Sequence, residues 1–410
     1  MTEDMYIEIR EMINTVGDTA TYLAQLQEAD YGNVIESWTQ NLVIIIENVN
    51  SLILDSNKVT FCDPEYLASH FMEYRYQRDL MNQYMQWHDR MLEVLERQYY
   101  SQNIWERKFV RLMDYVHYVD KELIIEKAKN SLLGIDRAVI QKLCAYYQEY
   151  AGFWGTLDVD HQRYDVIINR VETLIEHRDE FLWLHDLLAD QRSKMVLTGM
   201  LYNWVTFDFD YIKTIKEANY TDYFDLDLVE CDEREVWVDL GAWIGDSTQN
   251  YINTYGKYQR IYCYEIDESS MEEMKKNLGR YSNIVYCNKG AGAENCKKYF
   301  VKSADTSSNR IVDRPTEKEV EIVRLDDDIQ EKVTMIKMDI EGSEQKALAG
   351  CIRHIQEESP KLLICVYHNN EDIYRIPQMI MEMNPRYRLY LRSNGMQWGP
   401  AEIVLLAIPI

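Results

Sequence analysis

The sequence predicts an α/β protein: a Rossmann-like domain built on a mostly parallel sheet, preceded by an all-helical region. Three observations predict it. Glycine is absent between Gly32 and Gly134, and only Pro64 precedes residue 315. Beyond Glu235, short apolar runs alternate with polar, helix-forming segments, which is the pattern of a parallel sheet flanked by helices. Between the two regimes, Glu235 to Thr248 (EVWVDLGAWIGDST) reads as a strand, a glycine turn and a helix N-terminus.

The first regime is rich in Glu, Gln, Arg, Leu and Met and poor in breakers, which argues for long helices. Asp63-Pro64-Glu65 is a helix start, with a capping acid and proline at the first helical position. Leu80, Tyr84, Trp87, Met91 and Val94 alternate spacings of four and three, and Phe109, Leu112, Val116, Val119 and Leu123 continue the seam. The span from Asp158 to Leu188 reads as another amphipathic helical segment, with Val166, Ile167, Val171, Leu174 and Ile175 on one side. Tyr74, Tyr76, Tyr84, Trp87, Tyr99 and Tyr100 have helical spacing and read as core rather than as a glycan-binding surface. Residues 1–195 are thus expected to form a helical region for dimerisation or partner docking, a homodimer being one possible outcome. Residues 196–410 are expected to form the second domain, with 196–230 as a lead-in over a ligand site.

Within that domain the strands are predicted at 236–240, 261–265, 284–288, 335–339 and 362–367, with two more near 387–391 and 402–408. Ser393-Asn394-Gly395 is a hairpin signal between the last two. Lys297–Val301 and Val320–Val323 read as extra short strands around an irregular segment, 303–316.

Charge and cysteine usage exclude several classes. A net charge of −25 repels phosphate backbones and anionic lipid, so general nucleic-acid binding is not expected. The eight cysteines form no Cys-x-x-Cys pair and read as reduced thiols, not as a disulfide framework or a zinc site. The acidic start Met1-Thr2-Glu3-Asp4 is followed by no basic and apolar signal segment, and no apolar run approaches the ~20 residues that span a bilayer. The expectation is a cytoplasmic chain without membrane insertion.

The glycine turn specifies a ligand class. Dinucleotide folds want Gly-x-Gly-x-x-Gly to seat a pyrophosphate. Here three residues separate Gly241 from Gly245, and both follow Asp239, whose carboxylate would repel a pyrophosphate but suits a cationic, zwitterionic ligand such as S-adenosylmethionine (SAM). Glu265 ends the second strand, where a doubly wound fold places the carboxylate that accepts ribose hydroxyls. Gly290 and Ala291 follow the third strand and leave room for an adenine ring. The expected cofactor contacts are Asp239, Gly241, Ala242, Trp243, Gly245, Asp246, Ser247, Thr248, Glu265, Ile266, Gly290, Ala291 and Asp339.

Several spaced motifs resemble one family. Val238 to Asp246 resembles the first motif of the FkbM family of SAM-dependent methyltransferases, and Met335 to Glu344 (MIKMDIEGSE) resembles its most diagnostic stretch. Tyr264-Glu265 with Asn277, Arg324-Leu325-Asp326, and Leu363 to His368 fit in order between and after these. The resemblance covers roughly residues 195–410. It implies a class I methyltransferase fold, SAM as cofactor, and O-methyl transfer to a hydroxyl of a sugar, glycan or glycosylated product. Two departures stand out: the usual Glu-Pro is Glu265-Ile266 here, and Tyr367 precedes His368 where many relatives carry an acid.

Methyl transfer from a sulfonium needs the acceptor positioned and its proton removed. Candidates lie at strand ends: Asp339 and Glu341 after the fourth strand and His368 after the fifth, with His368 slightly ahead as the base. Asp326-Asp327-Asp328 offers hard oxygen ligands that a divalent metal could share with Asp339 and Glu341, but reads more simply as a solvated acid run, so a metal is possible and not favoured. The alternatives are an N-methyltransferase acting on a small molecule or protein, or a non-catalytic scaffold whose helical region is the working part.

Overall fold

The computed structural model describes residues 103–220, 223–302, 309–312, 314–395 and 402–410. The helix start at Asp63-Pro64, the seam from Leu80 to Val94 and the tyrosines up to Tyr100 lie outside the described residues. The chain divides into two compact units, Met1–Ile124 and Ile125–Ile410. In the first, helix α1 (Ile104–Tyr118) starts at Asn103, whose Oδ1 accepts the Trp105 N–H at 2.8 Å, and buries Phe109, Leu112, Met113 and Val116. The seam predicted through Phe109, Leu112 and Val116 is therefore a buried helical face. Helix α2 (Lys121–Leu133) crosses the division.

The second unit opens with α3 (Arg137–Glu149), capped by Asp136, and the short α4 (Ala151–Trp154). The amphipathic span expected from Asp158 to Leu188 is not one element. Strands β1 (Leu157–Asp158) and β2 (Arg163–Tyr164) make a small hairpin, followed by α5 (Asp165–Glu176) and α6 (Arg178–Leu187). Asp158 Oδ1 accepts the His161 N–H at 3.1 Å, a local bond that competes with helix formation. Helices α7 (Gln191–Thr206) and α8 (Phe209–Ile215) follow. The boundary expected near residue 195 falls inside α7. That helix belongs to the second unit because Ser193 Oγ accepts the Leu391 N–H and Asp190 pairs with Arg392 at 2.7 Å. No described helix is long and apolar enough to cross a membrane.

The remaining elements are β3 (Val236–Leu240), α9 (Asp246–Tyr255), β4 (Arg260–Tyr264), α10 (Glu268–Leu278), β5 (Ile284–Cys287), β6 (Gly290–Ala291), β7 (Cys296–Val301), β8 (Arg310–Val312), β9 (Glu319–Val323), α11 (Leu325–Asp328), β10 (Met335–Met338), α12 (Glu344–Ala349), β11 (Lys361–Cys365), α13 (Asp372–Met383), β12 (Tyr387–Ser393) and β13 (Ile403–Pro409). Seven strands form one sheet in the order β12-β13-β11-β10-β3-β4-β5. The five on the β5 side are parallel, and β13 and β12 run antiparallel to their neighbours. This is the class I methyltransferase arrangement, an α/β domain behind helices. Every residue of β3 and β10 is buried, as expected of central strands covered on both faces. Trp237, Tyr251 and Phe224 pack in the core on one side of the sheet.

The last two strands pair antiparallel as the hairpin signal predicted: Ser393 pairs with Ile403, and the Asn394 N–H reaches Glu402 O at 3.0 Å. The extra strands join a separate four-stranded sheet, β6-β9-β7-β8.

Candidate active site

The turn after β3 is held against β4. The N–H groups of Gly241 and Ala242 both donate to Tyr264 O, at 3.1 and 3.0 Å. Gly241 has φ +78°, and a Cβ there would lie 1.8 Å from the Asp339 carbonyl oxygen, so the chain tolerates only glycine. The turn also holds Trp243 at φ +41°, a left-handed conformation for a bulky residue. The Trp243 N–H donates to Glu265 Oε2 at 3.0 Å, and the Asp267 N–H donates to Glu265 Oε1 at 2.7 Å. Burial raises the Glu265 carboxyl to about 7, against the pull of these two N–H groups.

Asp239 does not reach the open space in front of this turn. It is fully buried, and its Oδ2 accepts from Ser247 Oγ and Thr248 Oγ1, both at 2.8 Å. Its Oδ1 lies 3.1 Å from Lys337 Nζ, which also donates to Gly241 O at 2.8 Å. Asp239 thus does not border the cavity, and its side chain holds the turn. Thr248 serves the same bond. Ala242 is fully buried, and Gly245 faces Leu278 and Met274, so neither borders the cavity.

A cavity of about 600 Å³ opens at the C-terminal ends of β3, β4, β10 and β11. Its volume lies within the range of small-molecule sites. Gly241, Trp243, Asp246, Ser247, Glu265, Ile266, Gly290 and Ala291 border it. Asp339, Glu341 and His368 border it too, so the predicted catalytic residues and most of the predicted cofactor residues share one cavity.

The three catalytic candidates meet because β10 and β11 are neighbours in register, Met338 opposite Ile364. Asp339 Oδ2 accepts the Tyr223 hydroxyl at 2.7 Å. His368 Nε2 lies 3.6 Å from Asp339 Oδ1 and 3.4 Å from Glu341 Oε2, and its Nδ1 is 2.9 Å from Glu344 Oε1. Burial opposes charge on His368, but Glu344, Glu341 and Asp339 raise its pKa well above that of a free imidazole. Burial pushes Glu341 up, with His368 pulling the other way. Burial also pushes Asp339 up, but Lys337 and His368 outweigh it and hold that carboxyl below its ordinary range. Glu341 sits at φ +55°, followed by Gly342 at φ +85°, a tight turn that presents the carboxylate to the cavity. One ligand atom from each of Asp339, Glu341 and His368 lies within 4.8 Å of the others, so these three could hold a metal ion.

The acid run does not join them and is not simply solvated. Asp326 accepts the Arg353 and His354 N–H groups, Asp327 accepts from Asn295, and Asp328 accepts from Tyr264 and pairs with Lys289.

Tyr223, from the predicted lead-in, and Tyr367, beside His368, border the cavity. Glu402 and the aromatic wall of Tyr146, Tyr150, Phe153 and Trp154 also border it and went unnoticed in the sequence. Phe153 lies 5.2 Å from the His368 ring, and the Trp154 indole N–H donates to Tyr367 O at 2.7 Å. Glu344 was legible only as a helix-start acid. Its bond to His368 depends on a strand-end residue 24 positions away.

Residues 239–397 match the profile of the methyltransferase FkbM domain. This stretch of the chain carries a methyltransferase FkbM domain. The FkbM methyltransferase from Methylobacillus flagellatus KT is 28% identical over 58% of this chain and 61% of its own, with a TM-score of 0.50. The chain thus aligns with about three-fifths of that relative. Two further structures are more distant. An rRNA methylase from Streptococcus thermophilus is 14% identical over 44% of this chain and 89% of its own, with a TM-score of 0.31. Aeropyrum pernix fibrillarin with natively bound S-adenosyl-L-methionine is 14% identical over 44% and 70%, with a TM-score of 0.29. No curated protein matches the chain. The helices that supply the aromatic wall precede the FkbM domain, so the cavity is completed by residues outside the family match.

Proposed function

We propose that the chain transfers a methyl group from SAM to a hydroxyl of a sugar, glycan or glycosylated product. The observation that carries the reading is a single cavity lined both by Glu265 and the Gly241–Asp246 turn and by the Asp339–Glu341–His368 cluster. SAM would lie along the turn, its ribose hydroxyls donating to Glu265. Asp246 and Ser247, which border the cavity, would face its methionine part in place of Asp239. The acceptor would lie against the aromatic wall, which suits the apolar face of a pyranose ring. The acidic groups of the cluster favour a neutral acceptor over a phosphorylated one.

The step is an in-line displacement. The sulfonium–methyl bond breaks, the oxygen–methyl bond forms, and the electron pair stays on sulfur. The hydroxyl proton passes to Glu341, because His368 is already engaged by Glu344 through Nδ1 and faces two carboxylates through Nε2. His368 is read here as positioning Glu341 and Asp339. A cytoplasmic location fits the seven described cysteines, all unpaired.

The test is incubation with methyl-labelled SAM and a panel of neutral glycosides, followed by mass analysis of the labelled product. Label on a sugar oxygen supports the reading, and label only on an amine overturns it. With an acceptor in hand, Glu341→Gln should lower turnover about 10²–10⁴-fold while leaving SAM affinity unchanged. Full turnover in that variant would return the base to His368 or Asp339.

A further inference from the structure

We propose that Asp339 Oδ1, Glu341 Oε2 and His368 Nε2 hold one divalent metal ion of the manganese or magnesium class in the cavity. The three atoms converge from two neighbouring strand ends. The His368 Nε2 separations, 3.4 Å to Glu341 and 3.6 Å to Asp339, exceed those of a normal N–H···O bond, which is about 2.7–3.2 Å. They exceed by about half an ångström the roughly 3.0 Å between adjacent ligands of an octahedral ion with bonds of about 2.1 Å, so an ion bound there would draw the three atoms slightly together. Asp339 Oδ1 is buried and has no hydrogen-bond donor, while its other oxygen is already taken by Tyr223.

A second observation concerns orientation. Glu344 is fully buried, accepts the Ile340 N–H at 2.9 Å, and places the same oxygen 2.9 Å from His368 Nδ1. A carboxylate on the far nitrogen of a metal-binding imidazole fixes its tautomer and raises its basicity. With Nδ1–H donated to Glu344, Nε2 is aimed at two carboxylates. That arrangement needs positive charge between them, supplied either by a second ring proton or by a cation in its place. The site is flanked by Phe153 on one side and opens to the cavity on the other. Two carboxylate oxygens and one imidazole nitrogen suit a borderline-hard cation, manganese ahead of calcium.

The ion's remaining coordination positions would be left to the cavity, where an acceptor hydroxyl would lie. Bound there, the hydroxyl would lose its proton more readily. Glu341 ligates through Oε2 and keeps Oε1 free, so the proton goes to that oxygen and the atom balance of the transfer is unchanged. This catalytic use rests on the methyl-transfer reading, whereas the binding does not.

The test uses the full-length chain, stripped with EDTA and titrated with manganese chloride by calorimetry and electron paramagnetic resonance. One ion per chain is expected. His368→Asn and Glu341→Gln should each weaken binding at least tenfold, and Glu344→Gln about 10–100-fold. Asp327→Asn, an acid outside the cluster, should bind as the parent does. Circular dichroism and SAM titration serve as folding controls. No binding by the parent at millimolar manganese, or binding unchanged in His368→Asn, overturns the site and leaves a protonated His368 between the carboxylates. Should EDTA-treated protein methylate at the full rate, the catalytic role is overturned while the methyl-transfer reading stands. Manganese bound at the cluster with no methyl transfer to any acceptor would support the site and sink that reading instead.

Discussion

Lys337 Nζ lies 3.1 Å from Asp239 Oδ1, and the two residues face each other across the central strands β10 and β3. Both are almost completely buried. Burial opposes the lysine charge, but Asp239 and Asp339 hold its pKa above that of an ordinary lysine. The ammonium group also anchors the Gly241 carbonyl, so one ion pair links the first and fourth strands and shapes the turn between them. Lys337→Met should leave Asp239 as an uncompensated buried charge and cost about 3–5 kcal/mol in urea unfolding. SAM affinity should fall with it. A loss below 1 kcal/mol would mean that the pair does not hold the turn.

Glu265 gives a pH dependence. Its carboxyl is raised to about 7 by burial, so in the free protein it takes up a proton as pH falls through that value. The folded state then binds more protons than the unfolded state between the ordinary glutamate pKa and 7. This group's contribution to stability therefore declines as pH rises through that window. Hydroxyls that donate to Glu265 favour the ionised form, so SAM affinity should rise with pH up to about 7 and then level off. Calorimetric titration from pH 5.5 to 8 checks this. A Glu265→Gln variant should bind more weakly by about tenfold to a hundredfold at pH 8 and show a flat profile. A sloping profile in that variant would point to another group.

Arg392 is buried and paired with both Asp190 and Asp225, at 2.7 and 2.6 Å. A fragment covering residues 196–410 lacks Asp190, Ser193 and the aromatic wall. Removing a partner of a buried charge costs about 3–5 kcal/mol, so the fragment should unfold at markedly lower denaturant than the full chain. Equal midpoints would show that residues before 196 are dispensable for the second unit.

The Phe153 ring lies 5.2 Å from the His368 ring and 4.9 Å from the Arg310 guanidinium. Under the proposed function, Phe153→Ala should raise the KM for the acceptor about tenfold, roughly 1.4 kcal/mol, with SAM affinity unchanged. If the variant alters SAM binding instead, the wall belongs to the cofactor site.

Local pattern made the strands legible. Val236 to Leu240 and Met335 to Met338 are short apolar runs bounded by turn signals, and their residues are buried as such runs require. The positions of Asp339, Glu341 and His368 followed from the same pattern, since strand ends in an open α/β sheet face the ligand crevice. The interruption at His177 was less visible, because amphipathic spacing on either side continues through it.

What each side chain does at its position was decided elsewhere. Asp239 and Asp339 occupy equivalent strand ends in the sequence, yet one is enclosed by Lys337, Ser247 and Thr248 while the other borders the cavity. The wall of Tyr146, Phe153 and Trp154 faces residues some two hundred positions downstream. Periodicity reports which residues share a face within one element. Whether an acid meets a lysine, a hydroxyl or open space depends on the neighbouring strand's register, and only the folded chain sets that.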